Sequence, residues 1–234
     1  MEIVQACWEP VIGVMCFNEK LLFAITVSRV KQFRNITKKI FDEFRGKLFN
    51  VLSKNFSPDS ADSLIAYINS GVCVIYGSVL LDIIHGTSYA KDIDICQRKY
   101  FLSNSRANIT HRRSTRRAIF YGDKCMDVDI TEVACDPGEF VIYSSNIGFN
   151  KIYYGSRGLY IGDVKAVFTK TSDIHRGDLY YREYFGHSPG HNRISDNITK
   201  RVEKYVSRGY VISEIVNPDP EYKMQYNRLF KISE

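Results

Sequence analysis

The stretch Lys91-Asp92-Ile93-Asp94-Ile95-Cys96 alternates acid with isoleucine. Side chains of a strand point to opposite faces in turn, so Ile93 and Ile95 belong on a core-facing side, and Asp92 and Asp94 share the other. Their α-carbons then stand roughly 6–7 Å apart. Two carboxylates at that spacing can bracket a pair of divalent ions about 3.5–4 Å apart. Adjacent acids repel each other when buried without a cation. A solvent-facing edge strand would tolerate the same pair, so the flanking sequence has to decide between the two.

Upstream, residues 72–76 form a short, wholly apolar run that reads as a buried strand. Gly77-Ser78 follows, then an apolar segment of helical length at 79–84. Glycine lets a backbone approach a ligand closely, a helix start presents unpaired N–H groups to a phosphate, and Ser78 adds a hydroxyl. Downstream, Cys125-Met126-Asp127-Val128-Asp129-Ile130 repeats the acid–apolar alternation on what should be a neighbouring strand. One of its acids can complete a three-carboxylate site. Asp129, between Val128 and Ile130, is preferred; Asp127 lies on the same face and competes with it.

Taken together, Tyr76-Gly77-Ser78, Lys91-Asp92-Ile93-Asp94-Ile95 and Val128-Asp129-Ile130 resemble the nucleotidyltransferase signature of the DNA polymerase beta superfamily. The core resemblance covers about residues 70–135. A weaker one continues through Phe149-Asn150-Lys151-Ile152 and residues 201–210, and is similar to the poly(A)-polymerase-like heads of some large viral and eukaryotic proteins. The resemblance implies an α+β nucleotidyltransferase fold, a mixed sheet flanked by helices. It implies that Gly77 and Ser78 hold the triphosphate of an NTP such as ATP. Asp92, Asp94 and Asp129 would bind Mg²⁺ or Mn²⁺, and Asp129 would help take the proton of the attacking hydroxyl. Lys204, with Arg201 one turn before it, would reach the triphosphate; a solvated helix face is the plainer reading of both, and Tyr205 reads equally well as core. The implied activity is transfer of NMP to a hydroxyl, foremost an RNA 3′ end. A protein, a tRNA end or a small molecule are other acceptors, and an RNA- or partner-binding subunit without catalysis is a third reading. One departure is that Asp82 is the only charged residue of the helix before His85, where the family often places Arg or Asp soon after the Gly-Ser pair.

Residues 98–117 hold Arg98, Lys99, Arg106, Arg112, Arg113, Arg116 and Arg117 and no acid. Phosphate is the natural partner of such a stretch, which makes Arg112, Arg113, Arg116 and Arg117 candidate RNA contacts; a solvated loop is the competing reading. His187 and His191 are four apart, but Ser188-Pro189-Gly190 between them breaks any helical zinc pair.

The remaining chain is read from periodicity. Apolar runs at 11–17 and 21–27 around Asn18-Glu19-Lys20 suggest a hairpin, and residues 28–55 suggest one or two amphipathic helices. Ser57-Pro58-Asp59 starts a helix that Gly71 ends. Residues 118–121 and 125–133 suggest a hairpin around Gly122-Asp123, and residues 140–143 and 151–154 suggest strands. Ser195 is expected to cap a helix closed by Gly209. These elements give an N-terminal strand/helix extension at 1–56, a core at 57–216 and a peripheral tail at 217–234. The 234 residues carry 32 basic and 26 acidic side chains, with 44% apolar composition, as in a globular protein. None of the six cysteines forms a CxxC pair, the start lacks a basic leader and no apolar run approaches a membrane span. A reduced, cytoplasmic protein is expected.

Overall fold

A computed structural model of the chain describes residues 2–98, 112–116, 126–133, 135–175, 191–216 and 230–231. The chain is α+β, with a mixed sheet flanked by helices. Four helices come first: α1 (Glu2–Val14), α2 (Phe17–Val27), α3 (Arg34–Asn55) and α4 (Pro58–Asn69). The strands and helices that follow are β1 (Cys73–Tyr76), α5 (Ser78–His85), β2 (Asp92–Arg98), β3 (Arg112–Arg116) and β4 (Asp127–Val133). Then come α6 (Pro137–Ser144), β5 (Ile152–Gly155), β6 (Gly158–Ile161), α7 (Val164–Thr169), β7 (Thr171–His175), α8 (His191–Val206), β8 (Val211–Val216) and β9 (Phe230–Lys231).

The expected N-terminal hairpin is a helix pair instead. Asn18-Glu19-Lys20, read as a turn, is the first turn of α2. The Glu19 carboxylate accepts the Cys16 N–H at 2.9 Å, which satisfies a donor left over at the helix start. The apolar runs on either side are then helix faces: Leu21, Ala24 and Ile25 are buried, and α2 packs on α3 and α5. A second correction concerns residues 140–143, which lie in α6 and not in a strand. Asp136 accepts the Glu139 N–H at 3.0 Å, and Pro137 occupies the first helical position where its missing N–H costs nothing. The start of α8 also differs, since the helix begins at His191, ahead of Ser195. Ser57 caps α4 as expected.

Seven strands form the main sheet in the order β3-β4-β2-β1-β5-β6-β9. All neighbouring pairs are antiparallel except β2 and β4, which run parallel. The partner of β4 expected at residues 118–121 lies outside the described residues; the strand paired to it on the outer side is β3, within the basic stretch. At the other edge, Phe230 and Lys231 of the tail pair with Ile161 and Tyr160. A small second sheet pairs β7 with β8 in parallel.

Each sheet face has its own core. Ile75, Ile93, Ile95 and Val128 pack with α2, α3, α4 and α5 in one cluster that runs from Ile12 to Tyr210. The N-terminal helices therefore share a core with the sheet. Val74, Cys96 and Val133 face the other way and are covered by Val141 and Ile142 of α6 together with Tyr153 and Tyr160. Alternation along β1, β2 and β4 produces this division. Among the described residues no helix is long and apolar enough to cross a membrane.

Candidate functional site

The ladder aligns one residue from each of five strands. Thr115 pairs with Asp129, Asp129 with Asp94, Asp94 with Tyr76, and Tyr76 with Tyr153. Register thus sets Asp129 beside Asp94, although the two are far apart in sequence. Asp92, two residues before Asp94, shares its face, and Asp127 is its ladder partner. One carboxylate oxygen from each of Asp92, Asp94 and Asp129 lies within 4.8 Å of the other two. The three acids predicted from alternation therefore come together in space. Asp129 is 8% exposed, and Asp92 and Asp94 are half-buried. The Asp127 side chain lies outside what is described.

Gly77 makes this arrangement possible. Its φ is +83°, a conformation that side chains other than glycine's rarely adopt, and a β-carbon there would stand 2.6 Å from Asp94 Oδ2. The Asp94 carboxylate occupies the space a side chain would fill. Ser78 follows as the first residue of α5 and is 3% exposed. Its hydroxyl is sealed from solvent and has no hydrogen-bond partner among the described residues. Asp92 Oδ1 is in the same condition. A buried carboxylate oxygen without a donor is costly, and a cation removes that cost.

These observations fit a divalent metal. The donors are all oxygens, which suits hard ions such as Mg²⁺ and Mn²⁺ better than zinc. The mutual distances allow one ion to touch all three residues, and the orphaned Asp92 oxygen has no protein donor to compete with it. Tyr76 closes the floor: its hydroxyl lies 3.2 Å from Thr131 Oγ1, spanning β2 from β1 to β4.

Helix α8 approaches from the side. Tyr205 packs against Phe149 and Tyr210 and donates to Asn150 Oδ1 at 2.6 Å. Burial raises its phenol pKa, the Asp94 charge raises it further, and Arg208 and Arg201 pull the other way. Tyr205 is thus a core residue that feels the acidic face. Lys204 and Arg201 are exposed on α8. Arg112, Arg113 and Arg116 fall on β3, whose side chains are not described, and Arg117 lies outside the described residues. A pocket of about 510 Å³ between α3 and α4, reaching Tyr154, belongs to the opposite sheet face and holds none of the three acids.

One residue gains a role the residue pattern did not suggest. Asp82 accepts the Thr87 hydroxyl at 2.5 Å and the Ala90 N–H at 2.6 Å, so it holds the loop that leads into Asp92. The available signal was a lone acid within the apolar run 78–84. Comparisons with models of protein families, with curated proteins and with solved structures find no match for this chain.

Proposed function

We propose that the chain has the nucleotidyltransferase fold and transfers NMP from an NTP to a hydroxyl, with an RNA 3′ end as the foremost acceptor. The observation that carries this reading is the convergence of Asp92, Asp94 and Asp129 beside the Gly77-Ser78 turn, with Asp92 Oδ1 buried and unsatisfied by the described protein groups. In the reaction, the acceptor oxygen forms a bond to the α-phosphorus, the bond from that phosphorus to the bridging oxygen breaks, and pyrophosphate leaves. Mg²⁺ or Mn²⁺ held by the three carboxylates would neutralise the triphosphate and make the acceptor hydroxyl more acidic.

The remaining work falls to the protein's own groups. Asp129 accepts the hydroxyl proton on its carboxylate. The first N–H groups of α5 donate to phosphate oxygens, and the absence of a side chain at Gly77 keeps Asp94 close to them. Ile93 and Val128, both buried, fix the strands that carry the acids. The parallel register of β2 and β4 sets the distance between Asp94 and Asp129, so positioning is inherited from the sheet.

The experiment incubates the purified chain with Mg²⁺ or Mn²⁺, labelled NTPs and RNA. Extension of the RNA supports the proposal. Label on protein or on a small product keeps the site and changes the acceptor. Incorporation that persists undiminished in the Asp92→Ala/Asp94→Ala double variant sinks the site assignment. Failure to incorporate with any NTP or acceptor points to a binding subunit.

A further inference from the structure

The loop between α5 and β2 is held in one shape from two sides. On its inner side the Asp82 carboxylate takes the Thr87 hydroxyl and the Ala90 N–H. On its outer side Arg208 Nη2 donates to the Tyr89 carbonyl at 2.8 Å. Tyr89 lies between these ties. The Arg208 guanidinium carbon stands 5.7 Å from the Tyr89 ring centroid and 5.8 Å from that of Tyr205. Tyr89 nevertheless remains 47% exposed.

This combination is not what core packing requires. A half-exposed phenol contributes little buried apolar area, yet its own carbonyl and the N–H of Ala90 are both held, as is the Thr87 hydroxyl two residues before. What results is a flat aromatic surface, ordered in advance and backed by a cation. Tyr89 precedes Asp92 by three residues, so their α-carbons lie within about 11 Å. That is comparable to the reach of a nucleotide from its phosphate to its base. An aromatic face stacks on any base, and an adjacent guanidinium adds cation–π attraction and phosphate affinity.

We propose that Tyr89 is a stacking ledge for a nucleobase, steadied by Arg208, beside the carboxylate centre. The base belongs either to the incoming nucleotide or to the end of the acceptor strand. The inference rests on the nucleotidyl-transfer reading of the carboxylates for its location, and its test is separable from that reading.

Three binding measurements on the purified full chain test it: Mn²⁺ alone by calorimetry, ATP in the presence of Mn²⁺, and a fluorescein-labelled single-stranded oligo(A) RNA by anisotropy. Each is made on the wild type and on Tyr89→Ala, Tyr89→Leu, Tyr89→Phe and Tyr89→Trp. Ala and Leu are expected to weaken ATP or RNA binding by at least about fivefold, and Phe and Trp to stay within about twofold of the wild type. Loss on ATP assigns the ledge to the incoming nucleotide, and loss on RNA assigns it to the acceptor. The fold-loss should be the same at low and high salt, because stacking releases no counterions. Mn²⁺ binding should be unchanged in all four variants. Wild-type affinity for both ligands in the Ala and Leu variants overturns the ledge, and so does a Phe variant as weak as Ala. A wild type that binds Mn²⁺ but neither ATP nor RNA overturns it as well. Absence of Mn²⁺ binding in the wild type removes the nucleotidyl-transfer reading, while dependence of RNA or ATP binding on an aromatic at 89 would still establish the ledge.

Discussion

The two faces of the main sheet are built by alternate residues of the same strands, and they differ in what would disturb them. On one side Ile75, Ile93, Ile95 and Val128 meet helices α2 to α5 in a continuous apolar core. On the other, a smaller cluster under α6 gives way at one end to Asp92, Asp94 and Asp129. The apolar side is satisfied by the chain itself. The acidic side carries a buried carboxylate oxygen that the described residues leave unsatisfied, as they do the Ser78 hydroxyl at the start of α5. The difference teaches that neighbours in one strand can serve packing and the acidic cluster separately.

That separation can be broken by experiment, and the largest effect is expected on the acidic face. Replacing Asp92 and Asp94 together by Ala should lower nucleotidyl transfer on the order of 10³-fold or more, measured as labelled NMP incorporated, with little loss of fold. Ile93→Ala, one position away, should do the reverse. Ile93 is fully buried, so its truncation should cost about 2–5 kcal/mol in denaturant unfolding. Mn²⁺ affinity of the molecules that remain folded should not change. If Ile93→Ala abolished Mn²⁺ binding under native conditions, the two faces would not be separable.

Gly77 joins the faces, because it links a buried strand to the helix at the site. Gly77→Ala combines an unfavourable φ with a β-carbon 2.6 Å from the Asp94 carboxylate. A loss of about 1–3 kcal/mol in stability is expected from the strain, together with weaker Mn²⁺ binding by calorimetry. Unchanged metal affinity would show that the position of Asp94 tolerates displacement.

The smallest effect concerns Lys151, which is 3% exposed. Burial lowers its pKa from the ordinary 10.5 to about 8, and Asp163 opposes the shift. Below pH 8 the lysine is charged in both folded and unfolded chains, and the cost of burying that charge is fully present. Between pH 8 and 10.5 the unfolded chain binds more protons, so stability rises with pH through this window. Lys151→Met should therefore be more stable than the wild type near pH 7, by about 1–2 kcal/mol. The advantage should shrink as pH passes from 8 to 10.5 in urea titrations. A difference independent of pH would mean that the lysine titrates normally.

The acidic face was legible because its signal is local: strict alternation in residues 92–95 and 127–130 leaves one reading for which residues share a side. The Ser57 cap and the stop at Gly71 were equally local. Other elements were hidden by physics that short windows do not carry. Apolar runs at 11–17 and 21–27 suit a strand or a buried helix alike, and the capping geometry of Glu19 settles them as helix. The apolar run at 140–143 suits a strand by itself, and the Asp136-Pro137 cap before it makes it a helix. Alternation puts Asp127 and Asp129 on one face, and register sets both beside an acid, Asp129 beside Asp94 and Asp127 beside Asp92. Tyr89 and Arg208 meet only after the chain has folded over a distance that no pattern spans.

The parallel pairing of β2 with β4 has a consequence in time. Antiparallel neighbours can zip from a short turn, but parallel ones must wait for a crossover to close, so their contacts form late. Asp94 and Asp129 meet only across that pairing. A refolding chain would thus acquire its helices and the β5–β6 hairpin before it can grip an ion at all three carboxylates. On the proposed reading of the carboxylates, full-affinity ion capture would mark the end of folding, and partly folded molecules would remain inactive.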